Sequence, residues 1–386
     1  MPRTALSHGL SLPLYDLGSG HPMTPVRYRL AVELIAAYGL LDRPEVAVLD
    51  VRPATIEEIS RVHPEAYVSA VRRLSQDPAL SLSWEVQQQW GITPPGGDTP
   101  AVPGLHDRAA AVCGVTMAPV LDVWEGRSRQ AIGVGGGLHH AFAHRAQGFC
   151  VYNDPAVAIQ ALLDAGAERV AFVDVDAHHG DGVQWIFYED PRVLTCSVHE
   201  SGRYLFPGTG FLSERGAGDA VGTSVNVPLP PFAGDEPYLR AVEEVVIPAV
   251  RDFHPDALVI EPGWDGHHSD VLTHLQITMD GFERMAGLLC GLAADVTDGR
   301  FAAVGGGGYT GDVLARGTAL FFARMLGVEL DDELPAGWRE RVRELTGRDA
   351  DRVLREDAEP GAPADARRQA DTEAHAVIDE AIALLG

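Results

Sequence analysis

From about residue 131 the chain repeats one pattern: a short, nearly continuous apolar run rich in β-branched residues, then a longer stretch with helical periodicity. The apolar runs are AIGV (131–134), RVAFVDVD (169–176), VLTCSVH (193–199), ALVIEPG (257–263) and FAAVGG (301–306). Such runs predict strands buried on both faces, as in a parallel sheet. Among the stretches between them are NDPAVAIQALLDAG (153–166), EPYLRAVEEVVIPAVRDF (236–253) and MDGFERMAGLLCGLAADV (279–296). The first carries the punctuation of a helix, with Asp154 at the N-cap, Pro155 in the first turn and Gly166 at the end. Alternation of β and α implies right-handed crossovers. The expected fold is α/β, a single doubly wound, mainly parallel sheet with helices on both faces.

The first 130 residues read as more helical, around 24–39, 64–75 and 104–124. GITPPGGDTPAVPG (91–104) is dense in proline and glycine and reads as a surface loop. Beyond about 327 the chain is charged and interrupted by prolines, then ends in an amphipathic helix over 365–385. This tail is expected to be peripheral. With 46% apolar residues among 386, a large core is available. No domain boundary is evident, so 1–386 reads as one domain with a C-terminal extension from 327 to 386.

The net charge is −25, and all 30 basic residues are arginine. Such a surface repels phosphate backbones, which disfavours nucleic acid as a partner. It suits either a cationic, lysine-bearing partner or mere solubility. Without lysine, Schiff-base chemistry and a P-loop are excluded. Cys113, Cys150, Cys196 and Cys290 are far apart and form no C-x-x-C pair, which argues against a disulfide framework or a cysteine metal site. No apolar run reaches membrane-spanning length and no leader is visible, so a cytoplasmic, non-membrane protein is expected.

In an open α/β sheet, ligands gather at the carboxyl ends of the strands, and the polar residues of this sequence gather there too. In VDVDAHHGDG, Asp174, Asp176 and His178 alternate and would share one side of an extended segment. Buried together, such groups need a cation, and carboxylate with imidazole suits zinc or a similar divalent ion. A strand tip with exposed polar residues is the plainer alternative. Asp265, ending ALVIEPGWD, is either a turn residue or the third ligand, leaving a position open for water and substrate. GVGGGLHHA sets His139 beside His140. A histidine pair suits proton transfer if carboxylates fix the tautomers, and Asp174 and Asp181 are available. Tyr309, after GGGG, is either a core tyrosine or a donor to a developing oxyanion. Taken together, these parts describe metal-assisted hydrolysis of an amide. GxSxG is absent.

These residues bring a family into view. Over roughly residues 14–326 the chain resembles the zinc-dependent histone deacetylase superfamily, most of all the bacterial acetoin-utilisation, AcuC-type, deacetylases. The stretches that carry the resemblance are YDLGSGHPMTPVRYRL (15–30), GDTPAVPGL (97–105), GGLHHA, GFCVYND (148–154), VDVDAHHGDGV (173–183), HESGRYLFPGTG (199–210), DVLTHL (270–275) and GGGGYT. The resemblance implies an arginase-like α/β domain that hydrolyses acetyl-lysine side-chain amides with one zinc per chain, held by Asp176, His178 and Asp265. It implies His139 and His140 as the acid–base pair, backed by Asp174 and Asp181, with Tyr309 on the oxyanion. It implies Gly148, Phe149 and Phe206 along the acyl-lysine tunnel, Leu272 and Asp98 at its rim, and Arg27 by an internal acetate cavity. A potassium site would use Asp174 and Ser197 with carbonyls of Asp176, His178 and Val198. The implied partner is an acetylated protein, with acyl-CoA synthetases favoured over histones.

The sequence departs from the family at two positions, where glutamine and a small residue are usual. Glu261 is expected to add negative potential near the metal, and Trp264 to crowd the acyl pocket. A small-molecule amidohydrolase acting on acetylpolyamines is the rival activity. A two-manganese ureohydrolase and an inactive binding protein are the others.

Overall fold

In the computed structural model, which describes residues 4–356 and 360–385, the strands are β1 (Thr4–His8), β2 (Val46–Val48), β3 (Gln130–Val134), β4 (Val170–Asp174), β5 (Val193–Glu200), β6 (Ser224–Leu229), β7 (Ala257–Glu261) and β8 (Phe301–Ala303). All are parallel and hydrogen-bonded in the order β2-β1-β3-β8-β7-β4-β5-β6. Every residue of β4 and β5 is buried, as continuous apolar runs require when both faces are covered. Helix Leu105–Trp124 packs on β1, β3 and β8, and helix Val313–Leu326 packs on helices Val26–Ala37 and Met279–Val296. The α/β fold expected from the alternating pattern is the one observed.

The helix signals translate directly. Asn153, one residue before the expected cap, accepts from the Ala156 amide and starts helix Asp154–Asp164 with Pro155 in its first turn. Thr278 caps Met279–Val296 by accepting from Gly281. The 236–253 stretch is not one regular helix. Asp235–Ala241 and Ile247–Phe253 are α-helical, and Val242–Val246 between them is a π-helical turn. Pro248 has no N–H to give to the preceding turn and its ring crowds the carbonyl four residues back, so the backbone widens there.

The topology concentrates chemistry at one end of the sheet. The chain leaves β3 toward His139, β4 toward Asp176 and His178, β7 toward Asp265 and β8 toward Tyr309. β3, β8, β7 and β4 are neighbours, and the crossover from β3 to β4 passes over the other two. That is where a crevice opens in such sheets. The C-terminal segment packs onto this body: Trp338 is buried and donates to the Leu30 carbonyl at 2.9 Å, and helix Ala364–Leu385 lies against β6 and helix Asp235–Ala241. No helix among the described residues is long and apolar enough to cross a membrane.

Candidate active site

Asp176, His178 and Asp265 are buried, and one ligand-type atom from each lies within 4.8 Å of the others. His178 Nδ1 is 2.8 Å from Asp265 Oδ2 and 3.3 Å from Asp176 Oδ1. Backbone amides hold the other carboxylate oxygens. Gly307 N–H donates to Asp176 Oδ2 at 2.7 Å, and Ala177 N–H donates to Asp265 Oδ1 at 2.9 Å. Two glycines make room for this. A Cβ on Gly263 would meet Asp176 Oδ2 at 2.2 Å, and one on Gly307 would meet Asp265 Oδ2 at 2.2 Å. Burial pushes Asp265 up to about 7. Burial alone would lower His178, but the Asp265 and Asp176 carboxylates outweigh it and lift the ring to about 10. Two carboxylates and one imidazole, desolvated and oriented around a common point, are a donor set for a divalent cation of the zinc class.

Beside this cluster the two histidines meet head to head, His139 Nε2 and His140 Nε2 being 3.1 Å apart. Their Nδ1 atoms are anchored separately, His139 on Asp174 Oδ2 and His140 on Asp181 Oδ1, each at 2.8 Å. The pair is held from below by Asn153, whose side-chain amide donates to the carbonyls of His139 at 3.0 Å and Ala141 at 2.9 Å. Asp154 fixes the preceding glycine turn by accepting from the Gly137 and Leu138 amides, both at 2.8 Å. Burial and the neighbouring His139 drive the His140 pKa well below its usual 6.5. Burial opposes charge on His139 as well, but Glu261, Asp174 and Asp176 together carry it well above 6.5. Two adjacent rings are thereby pushed in opposite directions.

Glu261 does bring a carboxylate into the site, against His139 and not only toward the metal cluster. It is fully buried, with Oε1 3.2 Å from His139 Nδ1. That nitrogen is already committed to Asp174, and neither Glu261 oxygen has a hydrogen-bond partner among the described residues. Burial accordingly pushes its carboxyl well above the usual range.

Tyr309 is anchored through its backbone amide, which donates to Asp270 Oδ2 at 2.7 Å. Its ring lies over the Arg27 guanidinium at 4.7 Å and 6.0 Å from the Phe149 ring. Arg27 is buried, donates to the Gly308 carbonyl at 2.5 Å and lies beside Tyr28, which lines two small internal cavities. Gly148 (φ 55°) and Phe149 (φ 67°) make a left-handed turn. A Cβ on Gly148 would come within 2.6 Å of His140 Cδ2 and 2.8 Å of Phe206 Cε1, so bare backbone fills the gap between those rings. Phe206 is 44% exposed and its ring is 5.0 Å from His140. Leu272 is half-buried, its amide donating to Asp270 Oδ1 at 2.9 Å. Asp98 is exposed, and its Oδ2 accepts from Gly148 N–H and Thr99 Oγ1, both at 2.9 Å. Asp174 and Ser197 face each other across β4 and β5, and Ser197 Oγ lies 2.8 Å from His199 Nδ1. Val198, next in β5, is fully buried.

Trp264 turns most of its ring into the core, although it also lines a small cavity with Tyr28. Its indole is 2% exposed, edge-on to Phe282 at 5.2 Å and 6.2 Å from Phe321, against Gly317. The missing Cβ at position 317 supplies the room that an indole needs in the layer between two helices. Gln147 and Asp270 are positioning residues that the motif reading left out. Gln147 donates to Asp181 Oδ2 at 2.5 Å, and Asp270 carries both Tyr309 and Leu272. Their signals were adjacency to GFCVYND and the first letter of DVLTHL.

The sequence profile of the histone deacetylase domain matches residues 21–325. The acetoin utilization protein AcuC of Bacillus subtilis (strain 168) is 38% identical over 329 residues, covering 85% of this chain and 83% of that protein. AcuC of Staphylococcus xylosus is 34% identical over 326 residues, covering 84% of this chain and 83% of its own length. Among solved structures, an HDAC homolog complexed with SAHA superposes with a TM-score of 0.83 at 27% identity, over 98% of this chain and 100% of that one. An HDAC homolog from Aquifex aeolicus gives a TM-score of 0.82 at 26% identity, with the same coverage. Profile, relatives and fold converge, and this chain belongs to the histone deacetylase family.

Proposed function

We propose that the chain is a zinc-dependent protein lysine deacetylase that hydrolyses acetyl-lysine side-chain amides and releases acetate. The observation that carries this reading is the buried Asp176–His178–Asp265 cluster beside a histidine pair whose members meet at Nε2 and are anchored separately on Asp174 and Asp181. One catalytic zinc per chain, held by those three residues, would polarise the amide carbonyl and acidify a water molecule. His140, neutral and anchored by Asp181, accepts a proton from the attacking water. His139, charged and anchored by Asp174, places positive charge beside the developing oxyanion. The Tyr309 hydroxyl donates to that oxygen. His140 then returns the proton to the departing amine. Gly148, Phe149 and Phe206 form the walls of a slot for the apolar lysine stem, with Leu272 and Asp98 at its rim and Arg27 beneath the acetyl end. Asp174 and Ser197, with the carbonyls of Asp176, His178 and Val198, would hold a potassium ion and through it steady the strand ends.

AcuC likeness and net acidity support an acetylated protein in the cytoplasm as substrate, an acyl-CoA synthetase before a histone, with neither nucleic acid nor membrane as partner. The whole chain is read as one deacetylase domain. The deciding experiment presents purified protein with acetyl-lysine peptides and acetylpolyamines side by side. Hydrolysis of the peptides supports the proposal. Hydrolysis of the polyamines alone replaces it with the small-molecule activity.

A further inference from the structure

A second group of metal-type donors lies outside the catalytic cluster. One ligand-type atom each from His267, His268 and Glu356 lies within 4.8 Å of the others. Two come from the loop that follows Asp265. The third comes from the C-terminal extension, beyond the segment that matches the family profile.

His267 and Glu356 are each oriented by contacts outside the group. His267 is buried, with Nδ1 2.8 Å from Ser269 Oγ, which leaves Nε2 facing Glu356 Oε1 at 2.6 Å. Glu356 Oε2 accepts from the Met279 amide at 2.8 Å. The His268 ring lies 4.3 Å from that of His267, tilted by 33°, and its Nε2 is buried with no hydrogen-bond partner among the described residues. A buried ring nitrogen without a partner needs a reason.

Charge points the same way. Arg316 is buried beside the group, 3.2 Å from Asp312, 2.8 Å from Asp351 and 3.7 Å from Glu356. Three carboxylates against one guanidinium leave a formal surplus of two negative charges, which a divalent cation would cancel. Ser269 is exposed and His268 half-buried, so an ion has an approach from solvent.

We infer that His267, His268 and Glu356 form a second divalent-metal site of the zinc class, distinct from the catalytic one, which ties the loop after Asp265 to the C-terminal extension. Two imidazoles and a carboxylate are a zinc-type donor set, with a fourth position for water. Binding opens the His267–Glu356 contact to roughly 3.3 Å, the separation of two tetrahedral ligands at zinc distances.

The test uses the full chain dialysed against micromolar free zinc, with metal counted by mass spectrometry. Wild type takes up two zinc ions per chain. His268→Ala and Glu356→Gln each take up one, Asp176→Asn keeps one, and Asp176→Asn with His268→Ala keeps none. Cobalt(II) added to Asp176→Asn gives a visible d–d band that His268→Ala abolishes, and the second zinc raises the Tm of wild type but not of His268→Ala. If Glu356→Gln does not fold, His268→Ala decides, because it removes a half-exposed ring whose Nε2 has no hydrogen-bond partner among the described residues. Asp176→Asn that takes up no zinc, or His268→Ala that still takes two, overturns the site.

Discussion

His139 and His140 are adjacent in sequence, touch through their Nε2 atoms at 3.1 Å, and are anchored through Nδ1 to carboxylates from two different places, Asp174 in β4 and Asp181 beyond it. That arrangement drives the pKa values of two chemically identical side chains in opposite directions, His139 up and His140 down. It predicts a kcat/KM profile with a broad plateau. The acid limb lies below pH 6.5, because His140 must be neutral to accept a proton and its pKa is lowered. The basic limb lies above pH 6.5, because His139 loses its charge only as pH rises through its raised pKa. An acid limb displaced above pH 6.5 would contradict the assignment of His140 as base.

Tyr309→Phe keeps the backbone bond to Asp270 and the ring packing against Arg27, so fold and substrate binding persist. Turnover falls by about a hundredfold or more, the usual loss for one oxyanion donor. Steady-state kinetics with a thermal melt checks both halves. Near-normal kcat would remove the hydroxyl from the mechanism.

Chelation of the purified chain abolishes hydrolysis, and added zinc restores it. In Asp265→Asn the zinc does not restore it, since that carboxylate is one of three buried donors. Full activity after complete metal removal would end the zinc reading.

Asp98→Ala lowers kcat/KM on acetyl-lysine peptides by about tenfold or more, the worth of charge-assisted bonds to a peptide backbone. Among the described residues only Oδ2 is engaged, on Gly148 and Thr99, so Oδ1 remains for substrate. A small acetylated amine loses less. Equal losses on both substrates would make Asp98 solely a brace for the Gly148 turn.

Trp264→Ala tests packing. A buried indole lost from between two helices costs about 3–5 kcal/mol, read as a lower denaturation midpoint. The ratio of acetyl to longer acyl substrates stays unchanged, because the ring faces Phe282 and Phe321. A selective gain for longer acyl groups would return Trp264 to the pocket wall.

The central strands were legible because burial on both faces writes an unbroken apolar run, as in Val170–Asp174 and Ala257–Glu261. The edges were not. β2 is three residues long, β1 mixes serine and histidine into a short segment, and β6 contains Asn226 and Pro228, which an edge strand tolerates. Metal-type donors and the histidine pair were legible because each follows the end of a strand within a few residues. The direction of Trp264 was not legible because it depends on Gly317, far along the chain, and no local pattern links the two. Glu261 was recognised as unusual, but only the fold shows that it meets His139.

The turn at Gly148 has a consequence for how such a protein diverges. Where backbone alone separates His140 from Phe206, there is no side chain to enlarge, trim or recharge, and even alanine would displace one ring or the other. That part of the cavity is closed to gradual change. Adaptation to a new acyl group must proceed through the partly exposed rings and the loops behind them, while position 148 stays fixed as long as both rings keep their places.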